Sequence, residues 1–416
     1  MLTWVKMAAR NLARHGRRSG FTMLAIGLGF AAVNVFSGFT DYIFSGLQDT
    51  YIYTQGNGHL SLFKRGFLGQ GKADPTQYLL TAAEQKGILE VSGGMPDVAL
   101  VTPQLDITGL LSNGEISTIF VASGRVPSAV RAIRGQGPAS LRKVGLFNGK
   151  QLEDEVTGGV GLSSGLASLL GLGLGSDAVA MAPTVSGQIN ALDIEVYQTF
   201  ESALEAMNDK QMIVPLGFAQ SLYDTESIDR VNVLLKDTRR TEAVRAELER
   251  RLAARGLAVE IRTWQQLSPL YAKVKDMFDV IFMFLFTIVF IIVVMSVINT
   301  IGMAVMERTR EIGTLRALGM QRGGIVRLFA IESALLGLAG SLLGLVFTGL
   351  TWLVVKIAQP TWIPPQITRR VPLEVHLVPD TVLLSLCFMV VLALAAAIPP
   401  ANRAARMNIV NSLGHT

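Results

Sequence analysis

One cysteine in 416 residues, Cys387, leaves no intramolecular disulfide to be formed. Histidine is almost as scarce: His15, His59, His376 and His415 are scattered at no metal-ligand spacing. The patterns HExxH and CxxC do not occur, which excludes those sequence-local signatures but not a site assembled from distant residues. Charge is thin at 17%, and the first twenty residues hold five Lys and Arg with no acid at all. The net charge of +5 therefore reads as orientation and contact with anionic lipid rather than nucleic-acid binding.

What the chain has in excess is apolar sequence, half of its residues. It is concentrated in Phe21–Phe39, in the uncharged "VIFMFLFTIVFIIVVMSVI" of Val280–Ile298, in Ile325–Val355, and in Thr381–Ile398, which is expected to end at Pro399-Pro400. The first run is too long for a signal-peptide core, so an uncleaved anchor is favoured. The expectation is a polytopic α-helical membrane protein with four transmembrane helices, at 20–48, 276–303, 325–355 and 380–398. A large α+β extracytoplasmic domain, 49–275, lies between the first and second. Lys and Arg in the short flanks place residues 1–19, the loop 304–324 and the tail 399–416 in the cytoplasm. The loop 356–379, with only Lys356, Arg369 and Arg370, faces the outside.

Within 49–275, Pro75–Glu90 reads as a helix and Asp106–Gly124 as a hairpin turning at Asn113-Gly114. Strand Arg230–Lys236, helix Thr241–Gly256 and strand Leu257–Trp264 predict a crossover unit on a sheet. In Gly158–Pro183 a short helix at Leu162–Leu170, a turn at Gly173–Asp177 and a strand at Ala178–Ala182 are expected. "GFLGQGKAD", Gly66–Asp74, has the glycines and Lys72 of a phosphate loop after the strand His59–Phe63. It has Ala73 where Mg²⁺ needs a hydroxyl, and Asp74-Pro75 where a helix should open. It is read as an external loop, not a nucleotide site.

The loop after the second apolar run, "MERTREIGTLRALGMQRGGIVRLFAIESALLG" of Met306–Gly337, pairs Glu307 with Arg310 and Arg308 with Glu311 at i, i+3, the ladder of a solvated helix. Ile312, Leu315 and Leu318 are expected on one greasy face, with Gly319, Gly323 and Gly324 punctuating the end. A groove in a partner and a lipid surface both suit such a helix. Glu332 is read as a plain residue near the membrane interface, with pairing to Arg327, Arg316 or a dimer partner as the alternative. Gly337, Gly340 and Gly344 form a small-residue stripe for packing within the chain or at a dimer seam. Arg10, Arg14 and Arg17 recur opposite Trp4, Val5, Ala8 and Leu12, as in a helix anchored at the inner interface.

"ERTREIGTLRALGMQRGGI" resembles the coupling segment of permeases with an FtsX-like core, the group of the MacB exporters and the lipoprotein-releasing (Lol-type) permeases. "WVKMAARNLARHGRRS", "GHLSLFKRGF" and "PPANRAARMNIVNSL" fit the same family. The resemblance implies a bacterial inner-membrane permease with its termini in the cytoplasm and its large domain in the periplasm. It would work with a second copy or a paralogue, a cytoplasmic ABC ATPase dimer, membrane lipid, and a periplasmic acceptor or adaptor, without nucleic acid. ATP and Mg would be bound by the partner ATPase, with no catalytic residue, metal or cofactor in this chain. Glu307, Arg308, Glu311, Ile312, Leu315, Arg316 and Gly319 would be the coupling residues. The leading implied function is extraction of lipoprotein or lipid-linked cargo. MacB-like efflux of peptides, siderophores or small toxic molecules, and FtsX-like signalling to a cell-wall hydrolase, are the alternatives.

Overall fold

The computed structural model describes residues 2–14, 16–71, 73–138, 147–154, 158–202, 205–362 and 370–407. His15, Lys72, Arg369, His415 and the end of the tail lie outside the described residues, as does the side chain of Trp4. The chain divides into two compact units: Met1–Phe44 with Val274–Trp362 and Pro372–Thr416, and Ser45–Lys273 with Ile363–Val371.

The first unit is helical: α1 (Leu2–Arg14), α2 (Gly16–Asp49), α3 (Pro269–Glu307), α4 (Thr309–Ala317), α5 (Arg322–Ala358) and α6 (Pro379–Ala405). Among the described residues, α2, α3, α5 and α6 are the helices long and apolar enough to cross a membrane. Ile26 and Phe30 of α2, Val293 and Val297 of α3, Phe329 and Leu336 of α5, and Met389 and Ala393 of α6 share one core. The glycine stripe packs within the chain. Gly340 and Gly344 let α2 approach at Ile26, Gly27 and Phe30, whereas Gly337 meets Ala393 of α6.

One helix end differs from expectation. α6 runs through Pro399-Pro400 to Ala405, although two prolines remove two N–H donors from it. Beyond them Ala401, Ala404 and Ala405 are buried in the core, so packing of the last two turns outweighs the lost hydrogen bonds.

Among the described residues the second unit's main sheet holds ten strands: β1 (Leu60–Lys64), β2 (Val98–Ser112), β3 (Ser117–Arg125), β4 (Asn148–Gly149), β5 (Gly159–Ser163), β6 (Asp177–Pro183), β7 (Ile189–Phe200), β8 (Gln211–Pro215), β9 (Arg230–Leu235) and β10 (Val259–Thr263). Their order is β10-β1-β9-β2-β3-β8-β5-β7-β4, and β6 pairs with both β2 and β7. The pairings β2-β3-β8-β5-β7-β6 therefore close on themselves as a ring. Alternate residues such as Leu105, Ile107, Phe120, Leu162, Ala180, Val196 and Met212 fill one core with Phe218 and Leu222 of the helix Leu216–Tyr223. The remaining strands, β10, β1 and β9 with the first half of β2, pack a second core against the helices Ala82–Gly93 and Thr241–Ala254.

The Asn113-Gly114 hairpin and the strand-helix-strand of 230–263 are both present, the latter with β1 inserted between its two strands. The expected helix 75–90 is two helices, Pro75–Tyr78 and Ala82–Gly93, because Thr81 starts the second with a capping box to Glu84. The expected helix 162–170 shrinks to Ser164–Leu169, since Leu162 is needed inside the ring as part of β5. In "GFLGQGKAD", Gly66 takes φ +89°, and a Cβ there would meet the Tyr78 ring. Asp74 caps the short helix that Pro75 opens, its carboxylate accepting from the Gln77 N–H at 3.3 Å.

Candidate functional site

The loop singled out in the sequence stands at one end of the helical unit, where α3 breaks at Arg308 and α4 begins. The Thr309 hydroxyl bridges the break, donating to the carbonyls of Val305 (3.0 Å) and Met306 (2.9 Å). At the far end Gly319 adopts φ +95°, with Gly319 N–H on the Arg316 carbonyl and Met320 N–H on the Leu315 carbonyl. These two bonds make a Schellman motif. Gly319 thus stops α4 and turns the chain into α5.

The ladder expected of a solvated helix is half present. Arg308 binds Glu311 at 2.9 Å, but Glu307 binds Arg18 at the start of α2, at 3.0 Å. Arg308 is itself mostly buried, and its Nη1 donates to Glu332 at 2.9 Å. Burial works against the Arg308 charge, but Glu332 and Glu311 outweigh it and hold its pKa above the ordinary arginine value.

Glu332 is buried within the helical unit. It is 3% exposed, and its Oε1 also accepts from Asn11 Nδ2 at 2.6 Å. Neither Arg316 nor Arg327 was needed as counter-ion. Arg316 instead donates to the main-chain carbonyl of Ala405, where the negative end of the α6 dipole favours a cation.

The greasy stripe is also divided. Ile312 is 3% exposed and joins the core, Leu315 packs against it, and Leu318 is 81% exposed. The face open to a partner is the row Arg310, Thr314 and Leu318, with Glu311 beside it. Arg10, Arg14 and Arg17 are exposed as the periodicity predicts, while Ala8 and Leu12 pack inward.

Sequence reasoning missed Asn11, Arg18 and the buried pair Thr22 and Thr300, whose hydroxyls lie 2.5 Å apart between α2 and α3. Asn11 had a readable signal: it is a polar residue on the otherwise apolar Trp4, Ala8, Leu12 side of α1.

The second unit carries its own buried polar cluster. Arg230 on β9 binds Asp106 of β2 and the neighbouring Asp229, Gln104 and Ser123 also donate to Asp106, and Asn232 donates to Gln104. Burial raises the pKa of Asp229 to about 6, with Arg230 opposing and Asp106 reinforcing the rise. Asp106 goes the other way: burial pushes it up, but Arg230 and Arg125 bring it below its ordinary value. Burial presses His59 down to about 4, and its Nδ1 accepts the Leu235 N–H at 3.1 Å. Among the described residues, no group of His, Cys, Asp and Glu suits a metal ion.

A family model described as the MacB-like periplasmic core domain matches residues 19–251, and one described as the FtsX-like permease C-terminal matches residues 283–409. The lipoprotein-releasing system transmembrane protein LolC of Neisseria meningitidis serogroup B is 23% identical over 64% of this chain and 64% of its own length. The macrolide export ATP-binding/permease protein MacB of Chromobacterium violaceum is 23% identical over 98% of this chain and 60% of its own. The chain thus spans less than two thirds of either relative. The crystal structure of the periplasmic region of MacB from Actinobacillus actinomycetemcomitans aligns with 54% of this chain and 94% of its own, at 13% identity and a TM-score of 0.36. With the two family models lying in order along the sequence, one across the first apolar helix and the strand-rich unit and the other across the last three apolar helices, the chain belongs to the MacB/FtsX-like family of ABC transporter permeases.

Proposed function

We propose that this chain is the membrane-embedded, non-hydrolytic subunit of an inner-membrane ABC transporter. It transmits the ATP-driven motion of a separate cytoplasmic ATPase dimer to a periplasmic domain that handles lipoprotein or lipid-linked cargo. The observation that carries the reading is α4, a short helix with one face locked into the permease core and the other, Arg310, Thr314 and Leu318, left open. A rigid knob of this kind passes on displacement without letting cargo through the helices. In this reading α4 and both termini face the cytoplasm, as the Lys and Arg bias favours, and 49–275 faces the periplasm.

ATP and Mg belong to the partner chain, and the permease works as a pair with a second copy or a paralogue. Cargo extraction follows the Lol-like "GHLSLFKRGF", whose strand becomes β1, paired between β10 and β9. The 98% span of the MacB alignment favours export as a second reading, in which a periplasmic adaptor would be the partner.

The test is purification of the tagged chain from its native membrane into nanodiscs. An ABC ATPase is expected to co-purify, with hydrolysis found only in its presence. A chain that retains no ATPase, or that hydrolyses ATP alone, overturns the reading. Periplasmic crosslinking in intact cells then separates lipoprotein cargo from an adaptor.

A further inference from the structure

We infer that the N-terminal helix α1 is part of the coupling apparatus, through the hydrogen bond from Asn11 to Glu332. The inference rests on the transport reading above and adds to it a positioning pair, Asn11 and Glu332, that touches no nucleotide and no cargo.

Three elements meet at one oxygen. Glu332 Oε1, on α5, accepts from Arg308 at 2.9 Å and from Asn11 at 2.6 Å. Arg308 occupies the break between α3 and α4, with φ −107° and ψ 19°, outside the helical region. Its guanidinium is divided between Glu332 behind it and Glu311 on α4 in front of it, so the direction in which α4 leaves α3 is set by a side chain gripped from α5.

A buried carboxylate must keep its donors, because an uncompensated charge is costly in a dry environment. If α4 is displaced and Arg308 follows it, Asn11 is the remaining described donor to that oxygen. The position of α1 is thereby linked to that of α4.

The surroundings favour transmission over simple anchoring. Ala8 is fully buried and Leu12 packs on the helical core, so α1 is seated at positions flanking Asn11. A helix that only floated in headgroups would need its arginines and an apolar face, not an amide aimed at a buried acid. A second tie, Arg18 to Glu307, joins the start of α2 to the end of α3 one residue before the break. Movement of α4 would thus be felt by α1 and α2 together.

The experiment uses the full permease with its co-purified ATPase in nanodiscs and compares wild type, Asn11→Asp, Glu332→Gln and the double variant. Asn11→Asp sets a carboxylate against a carboxylate. It is expected to lower permease-stimulated ATP hydrolysis about five-fold while the ATPase stays bound, within the range by which residues remote from a ligand alter coupling. Glu332→Gln in the same chain restores an acid-amide pair and is expected to bring the activity back to within about two-fold of wild type. Hydrogen exchange at the α1 amides should rise in Asn11→Asp and return in the double variant while the amides of α3, α5 and α6 stay protected, whereas a loss of assembly would raise exchange in all of them.

Asn11→Asp indistinguishable from wild type, or no better with Glu332→Gln than without it, overturns the inference while leaving the transport reading standing. If wild type retains no ATPase, the transport reading fails, and this inference with it.

Discussion

The carbonyl oxygen of Gly27 occupies the space that a side chain on Gly344 would need: a Cβ there would come within 2.6 Å of it. Backbone cannot yield as a flexible side-chain tip can. Gly344→Ala should therefore push α2 and α5 apart, at a cost of about 1–3 kcal/mol. Gly349, one turn further along α5, has open space beside it. Gly349→Ala should be neutral or slightly stabilising, since a helical glycine gives up more backbone entropy than alanine. Thermal unfolding of the two variants in nanodiscs checks the contrast, and equal stability would refute it.

Leu318 and Ile312 are six residues apart and should fail differently. Leu318→Asp changes an exposed position and should leave folding intact while weakening ATPase retention. Ile312→Asp buries a charge in the core and should prevent assembly of the helical unit. Glu311→Lys, which turns the Arg308 pair into a repulsion, should keep the fold and lose ATP-stimulated transport. Size-exclusion profiles and co-purification separate these outcomes.

Much of this arrangement was legible in the sequence. The four apolar helices follow from apolar runs of at least the length range that a bilayer core requires, and the Asn113-Gly114 hairpin from its turn residues. The ring was not legible. It depends on β5 and β8, each pairing with strands far away in sequence, and on β6 returning to β2. No local period records such pairings. Nor could the sequence say which side of α4 faces inward. Ile312, Leu315 and Leu318 look equivalent by spacing, and the Schellman turn at Gly319 leaves Leu318 outside. The partners of Glu332 were not legible either, because neither Arg308 nor Asn11 is close to it along the chain.

His59 and Asp229 should give the second unit opposing pH responses. The folded pKa of His59, about 4, lies below its ordinary 6.5. The fold therefore binds fewer protons there than the unfolded chain, and stability present above pH 6.5 is lost as pH falls toward 4. The folded pKa of Asp229, about 6, lies above its ordinary 3.8. The fold binds the extra proton, so stability present at low pH is lost as pH rises through 6. Each contributes up to about 3 kcal/mol across its window. Asp229→Asn should therefore steepen the loss of stability between pH 6 and 4, and His59→Gln should reverse it. Unfolding midpoints measured against pH in both variants test this, and parallel curves would contradict it.

Thr81 separates two short helices that the sequence reads as one. Its hydroxyl accepts the Glu84 N–H at 3.3 Å, and the Glu84 carboxylate accepts the Thr81 N–H at 2.9 Å. Thr81→Ala should cost about 1 kcal/mol. The effect should be local, seen as faster amide exchange at Ala82–Glu84 with the ring strands unchanged.

β2 has a mechanical consequence. Its fifteen residues, Val98–Ser112, pair with β9 over the first half and with β3 and β6 over the second. One strand about 50 Å long is thus a wall of both cores at once. A linker would let the two cores swing separately. A shared wall makes them a single lever arm, so that a tilt at one end arrives at the other amplified in distance.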